Sequence, residues 1–599
     1  MRKPGFGELI PGFLRLGYQR FLEAQQVRLA SQVEGLPMLA LLGLVCGLIS
    51  GGIIILFRLA VDNGSASLLP SGTPEGFDSL SGTARLLLCL AGGLIVGVVL
   101  QLLKARARDV GVVHVLERLD YHQGHLPIRN AIVQFVVGAI ALVSGQSVGR
   151  EGPSVHLGAT GGSVLGRMLR IPNNGVRILV GCGVAAAISA AFNTPLAGVI
   201  FAMEVVIMEY TVIGFTPVIL AAVSSATLTR AIFGDDTAFS VPGMADAGLI
   251  ELPVVALLGA LVGCLAATFT HLTLFTNSLF TRQPIWRRML LAGFLTGLIA
   301  FWVPHIMGTG YTSIDALLLA EFSLGFILIL LAAKFTATSL SIGLGMPAGL
   351  IGPILLIGAS AGAAIGVIMN SLGWGTAEAG FYTILGMAAM MAATLQAPLA
   401  ALIYLLELTT SEAIILPGMT AVITASLVTR VVFGKSSIYR HLMLSRGLDY
   451  RNSPLSKALR RIGVASVMDR EILQQERIMS ALDAETLLSK EPRWILLRDA
   501  KGSRKNSVLP ATDLARHLNE LQHAKPVPNP KDIMLDLYKI PAKRLDTAAI
   551  TIVATLQEAH EKMVSEQCDV LYITGAHGPS RERIYGVVTR EHIESSYRV

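Results

Sequence analysis

Charged residues are scarce in this chain. Only 15% of its 599 residues are charged, whereas 52% are hydrophobic. This composition is too apolar for a soluble enzyme, and the chain is too long to fold around one core. The net charge of +7 does not indicate a nucleic-acid partner, because no aromatic residues suited to base stacking alternate with the basic ones. We therefore predict a membrane protein that binds no nucleic acid.

Cysteine pairs and metal-ligand spacings are also absent. The five cysteines are isolated, and four of them lie in apolar stretches: Cys46, Cys89, Cys182, Cys264 and Cys568. This predicts neither a disulfide framework nor a metal site. Residues 1–35 contain no apolar core with a cleavage site, so they are not a signal peptide. We expect them to form a cytoplasmic amphipathic helix on the membrane surface or, alternatively, a solvated connecting helix.

Long apolar runs dominate the first three quarters of the chain. Each is about long enough, at roughly 20 residues per helix, to cross or deeply enter a bilayer. The runs lie near 37–60, 85–103, 131–147, 176–207, 213–233, 252–276, 288–306, 322–345, 347–372, 380–408 and 412–433. Gly and Pro interrupt several of them, so some spans should be broken. Basic stretches at 104–108 and 440–461 are typical of cytoplasmic flanks. These patterns predict a multi-pass protein of the cell membrane with both termini in the cytoplasm.

The end of the chain has a different character. Residues 441–463 form a basic linker, and residues 464–599 alternate strand-like with helix-like segments. We predict strands at 494–497 and 570–574 and an amphipathic helix at 554–566. The sequence therefore adds a cytoplasmic α/β domain to the membrane part.

Comparison of the chain with itself reveals a tandem duplication. A shift of 200 residues places one set of small residues and prolines on another: Gly149, Gly152, Pro153, Gly158, Ala159 and Gly162 on Gly349, Gly352, Pro353, Gly358, Ala359 and Gly362. A shift of 203 residues does the same for a block from Gly183 to Glu204 and its copy from Gly386 to Glu407. We predict inverted repeats at about 85–233 and 288–433, with the substrate site at their interface.

Four positions in the repeats carry signals for helix starts. They are Gly152-Pro153, Thr194-Pro195, Gly352-Pro353 and Ala397-Pro398, since proline fits a first turn where the amide has no partner. Convergence of four N-termini would surround an anion with free amides and positive dipole ends, and such partial charges release it again. Alternatively, the small residues only permit close helix packing. Packing leaves the charged Glu151 between two apolar stretches unexplained.

At these positions the chain resembles the CLC family of chloride channels and chloride/proton antiporters. Gly149-Arg150-Glu151-Gly152-Pro153 matches the family's GREGP motif. Gly349-Leu350-Ile351-Gly352-Pro353 is similar to its GxFxP motif, with Ile351 where phenylalanine is usual. Residues 192–198 match the helix that leads into the core of the family, and Tyr439 falls at its pore tyrosine.

The resemblance covers about residues 36–440. It implies an all-α polytopic membrane protein with inverted repeats and broken helices, which forms a homodimer in the lipid bilayer. Glu151 resembles the gating glutamate, whose carboxylate competes with anions for the same helix-end amides. The residues implied to bind chloride or a similar small anion are Arg150, Gly152, Gly349, Leu350, Ile351, Tyr439 and Val110. For Tyr439, an interfacial side chain that anchors the last helix is the alternative.

Two departures from the family pattern bear on mechanism. Val110 occupies the place of a serine that coordinates the central anion, so no hydroxyl is available there. Val205 occupies the place of the glutamate that carries protons in antiporters. Channel members of the family commonly have a valine there too. The resemblance therefore implies a channel-like or weakly proton-coupled transporter. An enzyme is not expected, because no nucleophile, base or metal-ligand cluster accompanies Glu151.

The alternative is a chloride/proton antiporter with another inner proton route. Glu151 and Glu204 are the candidates for such a route, and Glu209 or a chain of waters could also reach inward. Because Glu204 has a repeat partner in Glu407, a shared structural role as a helix cap or a bond to neighbouring helices is the competing interpretation for Glu204.

Residues 464–599 resemble a pair of CBS modules, which many CLC members carry. Such pairs often bind adenine nucleotides through hydroxyl and aspartate side chains, and Asp513 and Thr589 stand at two of those places. Pro510 and His592 replace the other two. A nucleotide-binding tail and a structural tail that stabilises a dimer are therefore both open, and no other cofactor is implied.

Overall fold

The computed structural model describes these residues of the chain: 35–234, 239, 251–373, 379–409, 411–448, 454–498, 506–523, 533–575 and 583–596. The predicted N-terminal helix at 1–35 falls almost entirely outside them. The chain divides into two compact units. Residues 39–167 and 176–450 form the first, here called the membrane unit, and most of the second, here called the tail unit, lies in residues 451–599.

The membrane unit is built from helices, with short helices between the long ones. In chain order they are α1 (Leu36–Leu68), α2 (Gly82–Leu102), α3 (Ala105–Arg108), α4 (Gly111–Tyr121), α5 (Ile128–Val143), α6 (Glu151–Met168), α7 (Asn173–Phe192), α8 (Pro195–Phe201), α9 (Val212–Phe233), α10 (Leu252–Phe280), α11 (Ile285–Trp302), α12 (Tyr311–Leu318), α13 (Leu324–Leu344), α14 (Ile351–Ser371), α15 (Ala379–Leu395), α16 (Pro398–Thr409), α17 (Ile415–Leu427) and α18 (Ile438–Ser445). Among the described residues, nine helical stretches are apolar and long enough to cross a membrane. The prediction of an all-α multi-pass protein is confirmed.

The predicted helix starts are confirmed as well. α8 and α16 begin at Pro195 and Pro398, and α6 and α14 begin at Glu151 and Ile351, two residues before their prolines. The apolar run predicted at 176–207 is therefore not one span, because α7 ends before the proline and α8 restarts at it.

The breaks in the two repeats share one backbone geometry. Asn193 follows α7 with φ = 59°, and Gln396 follows α15 with φ = 54°. A residue in the left-handed region commonly terminates a helix. The two positions are 203 residues apart, as in the sequence repeat, so the duplication extends to the backbone.

Glycines at equivalent positions allow close packing within each repeat. α6 meets α7 at Gly158 and Gly183, where a Cβ on either residue would overlap the carbonyl oxygen of the other. α14 meets α15 in the same way at Gly358 and Gly386. Packing accounts for these glycines, and it leaves the buried charge of Glu151 to another explanation.

The tail unit combines a six-stranded and a two-stranded sheet with flanking helices. Its elements are α19 (Pro454–Arg461), α20 (Val464–Val467), β1 (Ile472–Glu476), β2 (Ile478–Ser480), α21 (Ala481–Leu488), β3 (Trp494–Arg498), β4 (Ser507–Pro510), α22 (Ala511–Gln522), β5 (Met534–Asp536), β6 (Leu545–Thr551), α23 (Leu556–Glu566), β7 (Val570–Thr574), β8 (Ile584–Thr589) and α24 (Arg590–Ser595). The predicted strands at 494–497 and 570–574 are confirmed as β3 and β7. The predicted helix at 554–566 is confirmed as α23, which starts after its cap residue Thr555.

The six-stranded sheet has the order β1-β3-β4-β6-β7-β8. β1 and β3 are parallel and β4 joins them antiparallel, and β6, β7 and β8 repeat this pattern. β4 pairs antiparallel with β6 and so connects the two halves. The tail unit is therefore a duplicated β-α-β-β-α arrangement, which agrees with the predicted α/β class.

Candidate functional site

The two repeats meet through the backbones of Gly149 and Gly349. The amide of each glycine donates a hydrogen bond of 2.7 Å to the carbonyl oxygen of the other, and the two segments run antiparallel. A Cβ on Gly349 would lie 2.5 Å from the amide nitrogen of Gly152 and 2.6 Å from Glu151 Oε2. The lack of a side chain at Gly349 thus allows the two segments to approach closely. The Gly349 amide is already hydrogen-bonded to the Gly149 carbonyl oxygen.

Glu151 lies beside this glycine pair and is fully buried. Its Oε1 accepts hydrogen bonds from the amide of Gly352 and the hydroxyl of Tyr311, both at 3.0 Å. Its Oε2 has no hydrogen-bond partner among the described residues. Gly352 belongs to the first turn of α14, so the carboxylate that starts α6 occupies the positive end of the equivalent helix in the other repeat.

Two cavities border the residues on either side of Glu151. One has a volume of about 700 Å³ and is called the Tyr439 cavity. The predicted anion-binding residues that line it are Val110, Gly152, Leu350 and Tyr439. The other has a volume of about 640 Å³, is lined by Glu75, Arg150 and Tyr311, and is called the Glu75 cavity. Glu151 lines neither cavity and stands between Arg150 on one and Gly152 on the other.

The two cavities open at opposite ends of the long helices. Phe322, just before α13, lines the Glu75 cavity, and Ile342 near the end of α13 lines the Tyr439 cavity. α11 runs the other way: Ile285 at its start lines the Tyr439 cavity, and Pro304, two residues after its end, lines the Glu75 cavity. A helix of 21 residues such as α13 is about 31 Å long, close to the thickness of a bilayer core. The cavities therefore approach Glu151 from opposite ends of these helices.

The predicted anion-binding residues are thus only partly brought together. Arg150 lies on the Glu75 cavity, where its guanidinium stacks over the Tyr311 ring at 4.8 Å and donates to the Ala191 carbonyl at 3.1 Å. Ile351 is buried at the start of α14. Tyr439 is only 5% exposed and lines a cavity, a position unlike that of an interfacial anchor.

The expectation that four helix N-termini converge on one point is wrong. The amides of Leu196 and Ala197, at the start of α8, donate to the Glu407 carboxylate at 2.8 and 2.7 Å. Of the four predicted starts, those of α6 and α14 contact or contain Glu151. The start of α8 is already neutralised by a carboxylate from the other repeat.

Glu204 has the reciprocal position. It accepts from the amides of Leu399 and Ala400, at the start of α16, at 3.2 and 2.7 Å. Each repeat therefore caps a helix of the other, and both oxygens of Glu204 are engaged. Val205 next to it is buried and carries no polar group. This geometry supports the capping interpretation of Glu204 that the sequence left open, and its role on a proton path stays a prediction.

Two features of the site, Tyr311 and the α4 helix, were not predicted from the sequence. Tyr311, whose hydroxyl contacts Glu151, follows the turn Gly308-Thr309-Gly310 at the start of α12. A glycine-rich turn before a short apolar helix is a signal that could have identified it. The α4 helix, whose start at Gly111 lines the Tyr439 cavity, was not predicted either. Its sequence is too polar to count as an apolar run.

The two predicted nucleotide residues have structural partners in the tail unit. Asp513 forms an ion pair with Arg516 through one oxygen, and its other oxygen accepts from the Lys543 amide at 3.0 Å. Thr589 caps α24 by accepting from the amide of His592 at 3.3 Å, and the His592 ring accepts in return from the Thr589 amide. Burial lowers the pKa of His592, which favours the neutral ring that this capping needs.

The membrane unit has recognised relatives. Residues 92–430 match the family model described as voltage-gated chloride channel. The chain is 33% identical to a ClcB-like chloride channel protein of Ralstonia nicotianae over 62% of this chain and 89% of that protein. It is 32% identical to the H⁺/Cl⁻ exchange transporter ClcA of Vibrio cholerae over 52% of this chain and 68% of that protein.

A solved structure extends the likeness in fold to the tail. The crystal structure of a eukaryotic CLC transporter superposes with a TM-score of 0.56 and 20% identity. The match covers 92% of this chain and 97% of that one. The polytopic fold and the C-terminal α/β domain thus occur together elsewhere.

If Glu204 and Glu407 cap helices of the opposite repeat, their removal should destabilise the protein. Glu204→Ala and Glu407→Ala should each lower the free energy of unfolding by about 1 kcal/mol or more, because a helix start loses its acceptor. Thermal unfolding of the detergent-solubilised protein measures this, with the exposed Glu412→Ala as a control that should have little effect. If Glu204→Ala were as stable as the unmodified chain, capping would not be its role.

Proposed function

The chain belongs to the voltage-gated chloride channel family, and on this premise we propose that it carries chloride or a similar small anion across a membrane along a path gated by Glu151. The observation that supports this most directly is the position of Glu151 between two cavities. Arg150 lines the Glu75 cavity and Gly152 lines the Tyr439 cavity. Withdrawal of the Glu151 side chain would open a path between the two cavities.

The chemistry of the Glu151 site favours an anion as the cargo. The carboxylate is held by an amide and a hydroxyl, which are uncharged donors. A chloride ion could take the same donors when the carboxylate leaves, and partial charges release it readily. Val110 adds no hydroxyl, so the backbone and Tyr439 hold the anion on the side of the Tyr439 cavity.

We propose a channel-like or weakly proton-coupled mechanism. Val205 cannot carry a proton, and Glu204 is engaged by two amides of α16. The alternative is a proton-coupled chloride antiporter with another inner route, and it draws support from the name of the ClcA relative. One relative is named a chloride channel protein and the other an H⁺/Cl⁻ exchange transporter. The ratio of proton flux to chloride flux therefore distinguishes the two mechanisms.

The setting of the transporter is also proposed. We place it in the cell membrane as a homodimer with both termini in the cytoplasm, as the basic flanks at 104–108 and 440–461 indicate. We propose that the tail unit is a CBS pair with a structural role and no nucleotide. Asp513 and Thr589 support this, because their polar atoms are engaged within the tail unit.

Substitution of the gate residue tests the core of the proposal. Glu151→Gln should raise chloride flux at neutral pH by about tenfold or more, because charge-assisted hydrogen bonds to the helix end are lost. It should also flatten the pH dependence, since no carboxylate remains to titrate. Chloride efflux from liposomes between pH 4 and 8 measures both. Unchanged flux and an unchanged pH response would exclude the gating role.

Paired flux measurements separate the two mechanisms. A chloride gradient across liposomes that contain the purified chain should move few protons, because Val205 interrupts the usual inner relay. Chloride and pH electrodes recorded on one sample give the ratio. Strong uphill proton movement driven by chloride would establish the antiporter alternative.

The role of the tail unit can be tested by calorimetry. Titration of the purified full chain with ATP should give no heat beyond dilution, because Asp513 and Thr589 are already bonded. Binding in the micromolar range that disappears in Asp513→Ala would assign a nucleotide site there.

A further inference from the structure

We propose that Tyr311 is the latch of the Glu151 gate and that Glu75 and Lys334 position it. The inference rests on the proposed gating role of Glu151. The Tyr311 hydroxyl donates to Glu151 Oε1 at 3.0 Å, as the Gly352 amide does. A donor to a carboxylate favours its charged form, so the hydroxyl holds Glu151 in the closed position.

The Tyr311 ring is fixed by its neighbours. Arg150 stacks on it at 4.8 Å, and the ring of Phe239 meets it edge-on at 5.2 Å between centroids. Phe192 lies at 6.2 Å. These contacts use the ring and not the hydroxyl. Tyr311→Phe therefore removes the latch and leaves the packing in place.

The start of α12 is held from one side by Glu75. Its carboxylate accepts from the amides of Tyr311 and Thr312 at 3.0 and 3.2 Å and from the Thr309 hydroxyl. A carboxylate at a helix N-terminus also complements the helix dipole. Glu75 thus sets the position of the backbone that carries the Tyr311 side chain.

Lys334 holds the preceding turn from within the membrane unit. It is fully buried, and its Nζ donates to the carbonyls of Ile306 and Gly308 at 2.8 and 2.9 Å. A buried ionisable residue in a membrane helix is costly and indicates a function. Residues 306–312 are thus held both by Lys334 Nζ and by the Glu75 carboxylate, which limits the freedom of Tyr311 to leave Glu151.

Other polar groups act on Glu151 as well. The ionisable side chains near it on its own helix and on the elements packed against it are Arg150, Tyr311, Lys334, Tyr404 and Tyr439. Among them, only the Tyr311 hydroxyl donates a hydrogen bond to its carboxylate in the described residues. Among the described residues, the buried hydroxyl of Tyr404 has no hydrogen-bond partner, although its ring packs on Phe192 in the same aromatic group. Tyr404→Phe is therefore a matched control.

The test is chloride efflux from liposomes with the full chain, measured between pH 4 and 8. Tyr311→Phe should move the pH of half-maximal flux upward by about one unit, a tenfold change in the protonation equilibrium, because the carboxylate takes a proton more readily without its donor. Tyr404→Phe should keep the original midpoint. Glu75→Gln should move it in the same direction as Tyr311→Phe, and the two changes together should not add, since Glu75 acts through Tyr311.

The Glu151→Gln background separates this proposal from the gate itself. Tyr311→Phe should have no further effect there, because no carboxylate remains to be held. If Glu151→Gln raises flux but Tyr311→Phe alone leaves the pH profile unchanged, the latch is refuted and the gate stands. If Glu151→Gln itself changes nothing, the gating role fails first. An equal pH shift in Tyr404→Phe would show a general packing effect and would also refute the latch.

Discussion

Helices that break inside a membrane leave amides that water cannot reach, and the two repeats satisfy these amides for each other. Gly149 and Gly349 exchange backbone hydrogen bonds. Glu407 caps α8 and Glu204 caps α16. The two repeats are therefore joined by hydrogen bonds as well as by packing.

Carboxylates bind to helix starts at this interface in two different ways. Glu204 accepts from two amides with two oxygens, as Glu407 does, and both are therefore fixed. Glu151 accepts with one oxygen, and its other oxygen is buried without a partner among the described residues. An unsatisfied buried acceptor costs on the order of 1–3 kcal/mol. This cost offsets part of the stability that the Gly352 amide and the Tyr311 hydroxyl give to the observed position of Glu151.

Prediction from sequence was most successful where local chemistry decides the outcome. Prolines marked the starts of α8 and α16, and the repeat offset matched Asn193 to Gln396. The same local rules could not show which partner each helix start finds, because that depends on contacts between residues about 200 positions apart. Glu407 at the start of α8 and Tyr311 at Glu151 are both contacts of this kind. The valine at position 205 was informative only through a family pattern, since its side chain has no chemistry of its own to detect.

The charges around the cavities do not explain selection of an anion. Acidic side chains outnumber basic ones on the Glu75 cavity: Asp62, Glu75, Asp78, Asp315 and Glu321 against Arg58 and Arg150. Glu75 is occupied by the start of α12, and Asp62 pairs with Arg58 at 3.4 Å, so the excess is smaller than the count. Exposed charges are also screened within about 10 Å at moderate salt. At the junction itself, the groups that face the Glu151 carboxylate are the Gly352 amide and the Tyr311 hydroxyl, and both are donors. Once the carboxylate is displaced, the amide and the hydroxyl can both donate to an anion. Discrimination by charge therefore depends on these donors at the helix end and not on the cavity walls.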